Sequence, residues 1–174
     1  MNSDAEIRIT PPEGEEEREW LTQLWQSEWG GDNMVSRGHV FHLADMKSLV
    51  AKADSELVGA ATFRFDEADG CELMSINAIR QGGGVGTKLL AALEDEARKA
   101  GCSRIWLITS NDNLNALRFY QRRGYRITAI YSGAIDEARC IKPTIPCIGD
   151  HDIEIHDEIE LAKDIQGGGR RDVN

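Results

Sequence analysis

CELMSINAI (residues 71–79), then Arg80-Gln81-Gly82-Gly83-Gly84-Val85-Gly86-Thr87-Lys88 and the run on to Lys99, is the stretch that decides the fold. The first nine residues predict a long strand. The last part predicts a helix, because Leu89, Leu90, Leu93 and Ala97 recur at helical spacing and make one apolar face. Gly101 supplies its C-terminal stop. Between the two lies a glycine loop that leaves a strand and opens a helix. Glycines at 82, 83, 84 and 86 allow backbone geometries that a side chain would forbid. They also leave amide N–H groups at the positive end of a helix, which favours an anion. Thr87 and Lys88 add a hydroxyl and a cation, so a pyrophosphate fits this place. A nucleotide P-loop would end Gly-Lys-Ser/Thr, and here Thr87 and Lys88 stand in the reverse order. A dinucleotide fingerprint is matched only loosely and lacks its acidic residue at the end of the next strand.

Upstream, Ile7 and Ile9 predict a short first strand that Pro11-Pro12 stops. Trp20, Leu21, Leu24 and Trp25 predict a helix over residues 15–28, broken by Gly30-Gly31. Residues 34–47 read mostly as loop. Residues 48–53 and 57–66 predict two strands joined at Asp54-Ser55-Glu56. Downstream, residues 103–109 predict a strand buried on both faces. Asp112 or Asn113 can cap a helix that runs to Arg123, and Gly124 ends it. Residues 125–131 predict a strand, 134–140 a short helix, and the alternation of Ile153, Ile155 and Ile159 a last strand over 153–161. Hairpin strands followed by strand–helix–strand units predict an α+β domain. Its sheet is mixed, mostly antiparallel and six to seven strands wide, with helices on both faces. Residues 1–165 are expected to form one domain, and 166–174, with Gly167-Gly168-Gly169, a disordered tail.

The chain has 174 residues and a net charge of −10, which argues against phosphate-backbone binding and hence against a nucleic-acid partner. Acidic runs at Glu13–Glu19 and Asp150–Asp164 read as solvated charge, or as a field that attracts a cationic substrate. The four cysteines form no CxxC pair and no zinc spacing, so no metal is expected. Neither a signal peptide nor a run of about 18 apolar residues is visible. A cytoplasmic location without membrane association follows as the expectation.

The pattern Gln81-x-x-Gly84-x-Gly86 at a helix start, after three antiparallel strands, resembles the acyl-CoA loop of the GCN5-related N-acetyltransferase (GNAT) family. The segment from Asn113 through Ala116 and Tyr120 to Gly124-Tyr125 is similar to that family's later signature. The resemblance spans roughly residues 5–161 and implies the GNAT acyl-CoA N-acyltransferase fold.

It also implies acetyl-CoA as co-substrate and direct transfer of its acetyl group to a primary amine of a small molecule or peptide, with no acyl-enzyme. An inactive acyl-CoA-binding module of the same fold is the alternative, and a homodimer is left open. On this resemblance Gln81, Gly82, Gly83, Gly84, Val85, Gly86, Thr87 and Lys88 face the pyrophosphate. Ile76 and Ala78 offer backbone groups to the pantetheine arm, in a gap between two splayed strands, and an N–H near Ile76 faces the developing oxyanion. Asn113 contacts the same region, and Arg118 is a further cation for phosphates. Tyr120 matches the position of the acid that protonates the leaving thiolate. Glu72 stands near the place of a general base, a role that a water chain can also fill. Trp25, Trp29, Arg37, His39, His42 and Tyr131 are candidate walls of the acceptor pocket, with Trp25, like Trp20 and Trp106, read as core ahead of pocket.

Overall fold

The computed structural model describes residues 6–79 and 83–166. In chain order the elements are β1 (Ile7–Thr10), α1 (Gly14–Trp29), β2 (Asn33–Ser36), β3 (His39–His42), β4 (Lys47–Ala53), β5 (Glu56–Phe65) and β6 (Gly70–Ala78). There follow α2 (Val85–Lys99), β7 (Arg104–Ser110), α3 (Leu114–Gln121), β8 (Arg126–Tyr131), α4 (Ala134–Ile141) and β9 (Glu158–Asp164).

Seven strands form one sheet in the order β1-β4-β5-β6-β7-β9-β8. Every neighbouring pair is antiparallel except β6 with β7. That parallel pair needs a crossover, and α2 supplies it. Side chains alternate between faces along each strand. On one face Leu49, Ala51, Cys71, Leu73, Ile105, Leu107 and Leu161 pack against Leu89, Leu90, Leu93 and Ala97 of α2. On the other, Val50 and Ala60 pack against Leu21 and Trp25 of α1. Helices therefore cover both faces, as the patterning predicts. Burial pushes the Cys71 thiol up to about 12, so it is an inert core residue.

Two expectations are corrected. Residues 34–47 hold a two-stranded hairpin, β2 with β3, rather than a loop. Its two-residue turn places Arg37 and Gly38 at φ 50° and 75°, the left-handed geometry of a tight hairpin turn. The last strand is Glu158–Asp164, and Ile153 and Ile155 belong to the irregular strap that precedes it. Within that strap Asn111 accepts hydrogen bonds from the His156 and Asp157 amides, and Asp112 accepts one from the Asp150 amide. The cap of α3 is Asn113, whose side-chain oxygen accepts from the Ala116 N–H. Gln166, assigned to the tail, donates to the Gly101 carbonyl. No helix among the described residues is long and apolar enough to cross a membrane.

Candidate functional site

The central feature is a parting of β6 from β7. The two strands pair from Gly70 with Arg104 to Leu73 with Leu107, and no further. Beyond that point β6 continues on β5 to Ala78, and β7 continues on β9 to Ser110. The cause is local. Thr62 and Phe63 are consecutive in β5 but oppose Ser75 and Leu73, so Met74 is an extra residue in β6. Such a bulge bends its strand and ends regular pairing. The Ile79 N–H donates to the Val58 carbonyl in β5. By alternation the backbone groups of Ile76 and Ala78 point the other way, into the gap.

The gap ends at the N-terminus of α2. Gly84 precedes the helix with φ 69°, a left-handed conformation that favours glycine. The first-turn amides of Val85, Gly86 and Thr87 have no partner within the helix. Gly83, Gly84, Thr87 and Lys88 are exposed at this end, while Val85 is buried. Gln81 and Gly82 lie outside the described residues. Among the described residues, an unpaired strand edge that leads to an open helix N-terminus suits an extended amide-bearing arm that ends in a pyrophosphate.

The parted strands open on a cavity of about 430 Å³. Leu73 and Met74 of β6, Ile108, Thr109 and Ser110 of β7, and Asn113 line its inner side. Trp29, Met34, Ile135, Ile145, Pro146 and Ile155 line its outer walls. Two buried carboxylates, Glu72 and Glu158, also line it. They share a sheet face because Glu72 stands beside Trp106, Glu158 stands beside Ser110, and residues 106 and 110 of β7 face the same way.

The two acids are partnered differently. Glu72 accepts from Arg64 Nε at 2.7 Å and from Arg37 Nη2 at 3.1 Å. Burial raises its pKa, and the two guanidiniums pull it back. Glu158 accepts from Ser36 Oγ at 3.1 Å and from the Arg37 N–H at 3.3 Å. Arg37 thus binds one acid through its backbone and the other through its side chain. Its guanidinium also lies 4.3 Å from the centre of the Trp106 ring, which seats the β2–β3 hairpin on the sheet.

Tyr120 is buried in the α2 face, edge-on to Phe119 and Tyr125 at 5.0 and 5.5 Å between ring centres. Burial pushes its phenol well up, with the Arg123 charge opposing, so it keeps its proton at neutral pH. Of the expected pocket walls, Trp29 lines the cavity. Trp25 is fully buried in the α1 core, as its preferred reading has it, and helical packing takes its whole ring. His39 and His42 are exposed on β3. The Tyr131 hydroxyl donates to Glu160. Two residues escaped the sequence reading. Arg123 donates from Nη2 to Thr87 Oγ1 at 2.6 Å, and its guanidinium stacks 3.7 Å from the Phe119 ring centre, which puts a cation beside the first turn of α2. Glu158 is the other, hidden inside an acidic run.

Comparison with known proteins agrees with this geometry. The model of the acetyltransferase (GNAT) family matches residues 9–125. The Bacillus subtilis protein YdhI is 37% identical over 158 residues, covering 90% of this chain and 98% of its own. A Bacillus subtilis acetyltransferase solved in complex with CoA superposes with a TM-score of 0.69 at 21% identity, over 91% of this chain and 99% of the other. A GNAT acetyltransferase from Elizabethkingia anophelis with acetyl-CoA bound superposes at 0.67 and 20% identity, over 91% and 97%. The chain belongs to the GNAT acetyltransferase family.

Proposed function

We propose that this protein transfers the acetyl group of acetyl-CoA directly to a primary amine. The observation that carries this reading is the parting of β6 from β7 at the Met74 bulge, with the α2 N-terminus at one end and an acid-bearing cavity at the other. When bound, acetyl-CoA supplies an electrophilic thioester carbon and a thiolate that leaves. The gap-facing carbonyl of Ile76 and the amide and carbonyl of Ala78 bind the amides of the pantetheine arm, and the Ile76 N–H stabilises charge that develops on the thioester oxygen. Asn113 uses its side-chain oxygen on the α3 cap, which leaves its NH₂ to donate into the cavity. The loop from Gln81 through Gly82, Gly83, Gly84, Val85, Gly86 and Thr87 binds the pyrophosphate, with Lys88 and Arg123 as neighbouring cations.

Tyr120 is the proposed acid. Burial keeps the phenol protonated, so it is available to donate to the sulfur as negative charge gathers there and the C–S bond breaks. Glu72 is reassigned from base to positioning residue. Each of its oxygens accepts from a guanidinium, so its charge is already compensated by Arg37 and Arg64.

The test is a thermal-shift titration with acetyl-CoA, with NAD and ATP as controls, followed by thiol release in the presence of an amine panel. A ligand that binds only the folded state raises the melting temperature with its occupancy. The expected result is a rise with acetyl-CoA alone and amine-dependent thiol release. Binding without release on any amine would favour an acyl-CoA-binding module instead. Tyr120→Phe is expected to lower kcat by about 100-fold, with little change in acetyl-CoA affinity. An unchanged kcat removes Tyr120 from the acid role.

A further inference from the structure

Resting on that reading, we propose that Glu158 receives the protonated amine of the acceptor and takes its proton, and that the acceptor is an alkyl or arylalkyl amine on an apolar body with no carboxylate beside the nitrogen.

Glu158 is 3% exposed and belongs to the cavity lining. A buried carboxylate needs compensation for lost hydration. Here Ser36 and the Arg37 amide give one hydrogen bond to each oxygen, both longer than 3.0 Å. A carboxylate has about four lone-pair sites, so accepting capacity is left over. Among the described residues no lysine or arginine side chain forms an ion pair with it. The other charges of the cavity are engaged or peripheral. Glu72 is held by Arg37 and Arg64. The Lys142 ammonium donates to the Trp29 and Asn33 carbonyls at 2.5 and 2.9 Å. Glu28 is an exposed residue on the lining. Glu158 is therefore the acid left to meet a cation.

Its position suits the reaction. Glu158 stands beside Ser110, three residues past Leu107, where β6 and β7 stop pairing. At about 3.3 Å per residue that is roughly 10 Å along β7, on the cavity side of the parting. The walls across from it are Trp29, Met34, Ile135, Ile145, Pro146 and Ile155. They suit a hydrocarbon body. An acceptor carboxylate beside the nitrogen would meet Glu158 with like charge.

The step balances without a further reagent. The proton of R–NH₃⁺ passes to the Glu158 carboxylate, and the freed nitrogen lone pair forms the C–N bond. The C–S bond breaks as the amide forms: the departing sulfur takes the Tyr120 proton, the second proton lost by the nitrogen restores the Tyr120 phenol, and Glu158 returns its proton to water.

The experiment uses the full chain saturated with CoA for binding and with acetyl-CoA for turnover. The probes are 2-phenylethylamine and n-hexylamine, each matched with its alcohol and with the α-amino acid of like side chain, L-phenylalanine and L-norleucine. The wild type is expected to bind each amine at least about tenfold more tightly than its alcohol, and to acetylate it at least about tenfold faster than the amino acid. Glu158→Gln is expected to abolish the preference for amine over alcohol and to lower kcat/KM by about 100-fold or more, while its thermal shift with acetyl-CoA stays at the wild-type value. Ser36→Ala is expected to raise the amine KM by a smaller factor than Glu158→Gln. Amines bound no better than alcohols by the wild type, or kcat/KM within about twofold of wild type in Glu158→Gln, would overturn the proposal. Failure of acetyl-CoA to bind the wild type at all would overturn the underlying function instead, so the two failures are told apart.

Discussion

The two faces of the central sheet do opposite things with the same backbone. On the α2 and α3 face, Cys71, Leu73, Ile105, Leu107 and Leu161 are all buried apolar residues in one core. On the other face, one residue along each strand, stand Glu72, Trp106, Glu158 and Glu160. The first face removes apolar area from water, which supplies most of a domain's stability. The second buries charge against the sheet and must then satisfy it with side chains brought from elsewhere, Arg64 from β5 and Arg37 from the hairpin. Strand alternation keeps the two tasks apart at a spacing of a single residue. The division also explains why the cavity opens on the acid face. Its wall elements, the hairpin and α4, are short and are held by polar anchors rather than by a continuous core.

Removing the anchors should break this division most severely. The double variant Arg37→Met and Arg64→Met leaves Glu72 buried without a counter-charge. A loss of about 3–5 kcal/mol is expected at neutral pH, measured by urea unfolding. The loss should be pH-dependent. Without the guanidiniums, burial, with the Asp66 charge adding to it, raises the Glu72 pKa above the ordinary value of 4.5. The penalty is then present above the raised pKa and fades as pH falls through it toward 4.5. A loss of the same size at all pH values would show that packing of the arginine stems, not charge, holds the hairpin. Leu93→Ala on the opposite face is the counterpart. Leu93 is fully buried, and its truncation is expected to cost about 2–5 kcal/mol, with no added pH dependence and no change in acetyl-CoA affinity of the folded fraction.

Apolar periodicity makes the α2 face, and the α1 stripe over Val50 and Ala60, legible in the sequence, whereas the charged part of the second face is not. The glycine loop, the α2 stripe and the Asn113 cap are local signals. The β2–β3 hairpin hid because its strands have four residues each and their turn is Arg37-Gly38, without the Asn-Gly or Asp-Gly that marks a two-residue turn. Ile153 and Ile155 alternate with acids just as strand residues do, so the pattern predicts the last strand earlier than Glu158–Asp164. Glu158 could not be distinguished from Asp157 or Glu160 inside its acidic run, since only pairing with Ser110 sets it into the cavity. The Met74 bulge has no sequence mark either. It exists only in the mismatch between two strands, and the site depends on it.

A smaller effect sharpens the contrast through the strap that joins α4 to β9. His156 Nδ1 lies 2.8 Å from Asp157, and Asp157 also accepts the Gly133 N–H at the start of α4. The hydrogen bond to Asp157 raises the His156 pKa above 6.5. The Gly133 amide, and then His156, lower that of Asp157 below 3.8. A histidine with a raised folded pKa adds stability that is complete below pH 6.5 and disappears as pH rises through the raised value. The aspartate adds stability that is present above pH 3.8 and disappears as pH falls through the lowered value. The pair therefore contributes fully between those limits. Both groups are on the surface, so the contribution is small and salt-sensitive. In melting temperature measured against pH, wild type minus His156→Gln should be largest near pH 5–6 and should shrink above neutrality and in high salt. The same difference for Leu93→Ala should be flat across that range. A flat profile for both would mean that α4 is seated by the apolar contacts of Ile135 and Ala138 alone, and that the acid face holds its walls without help from the strap.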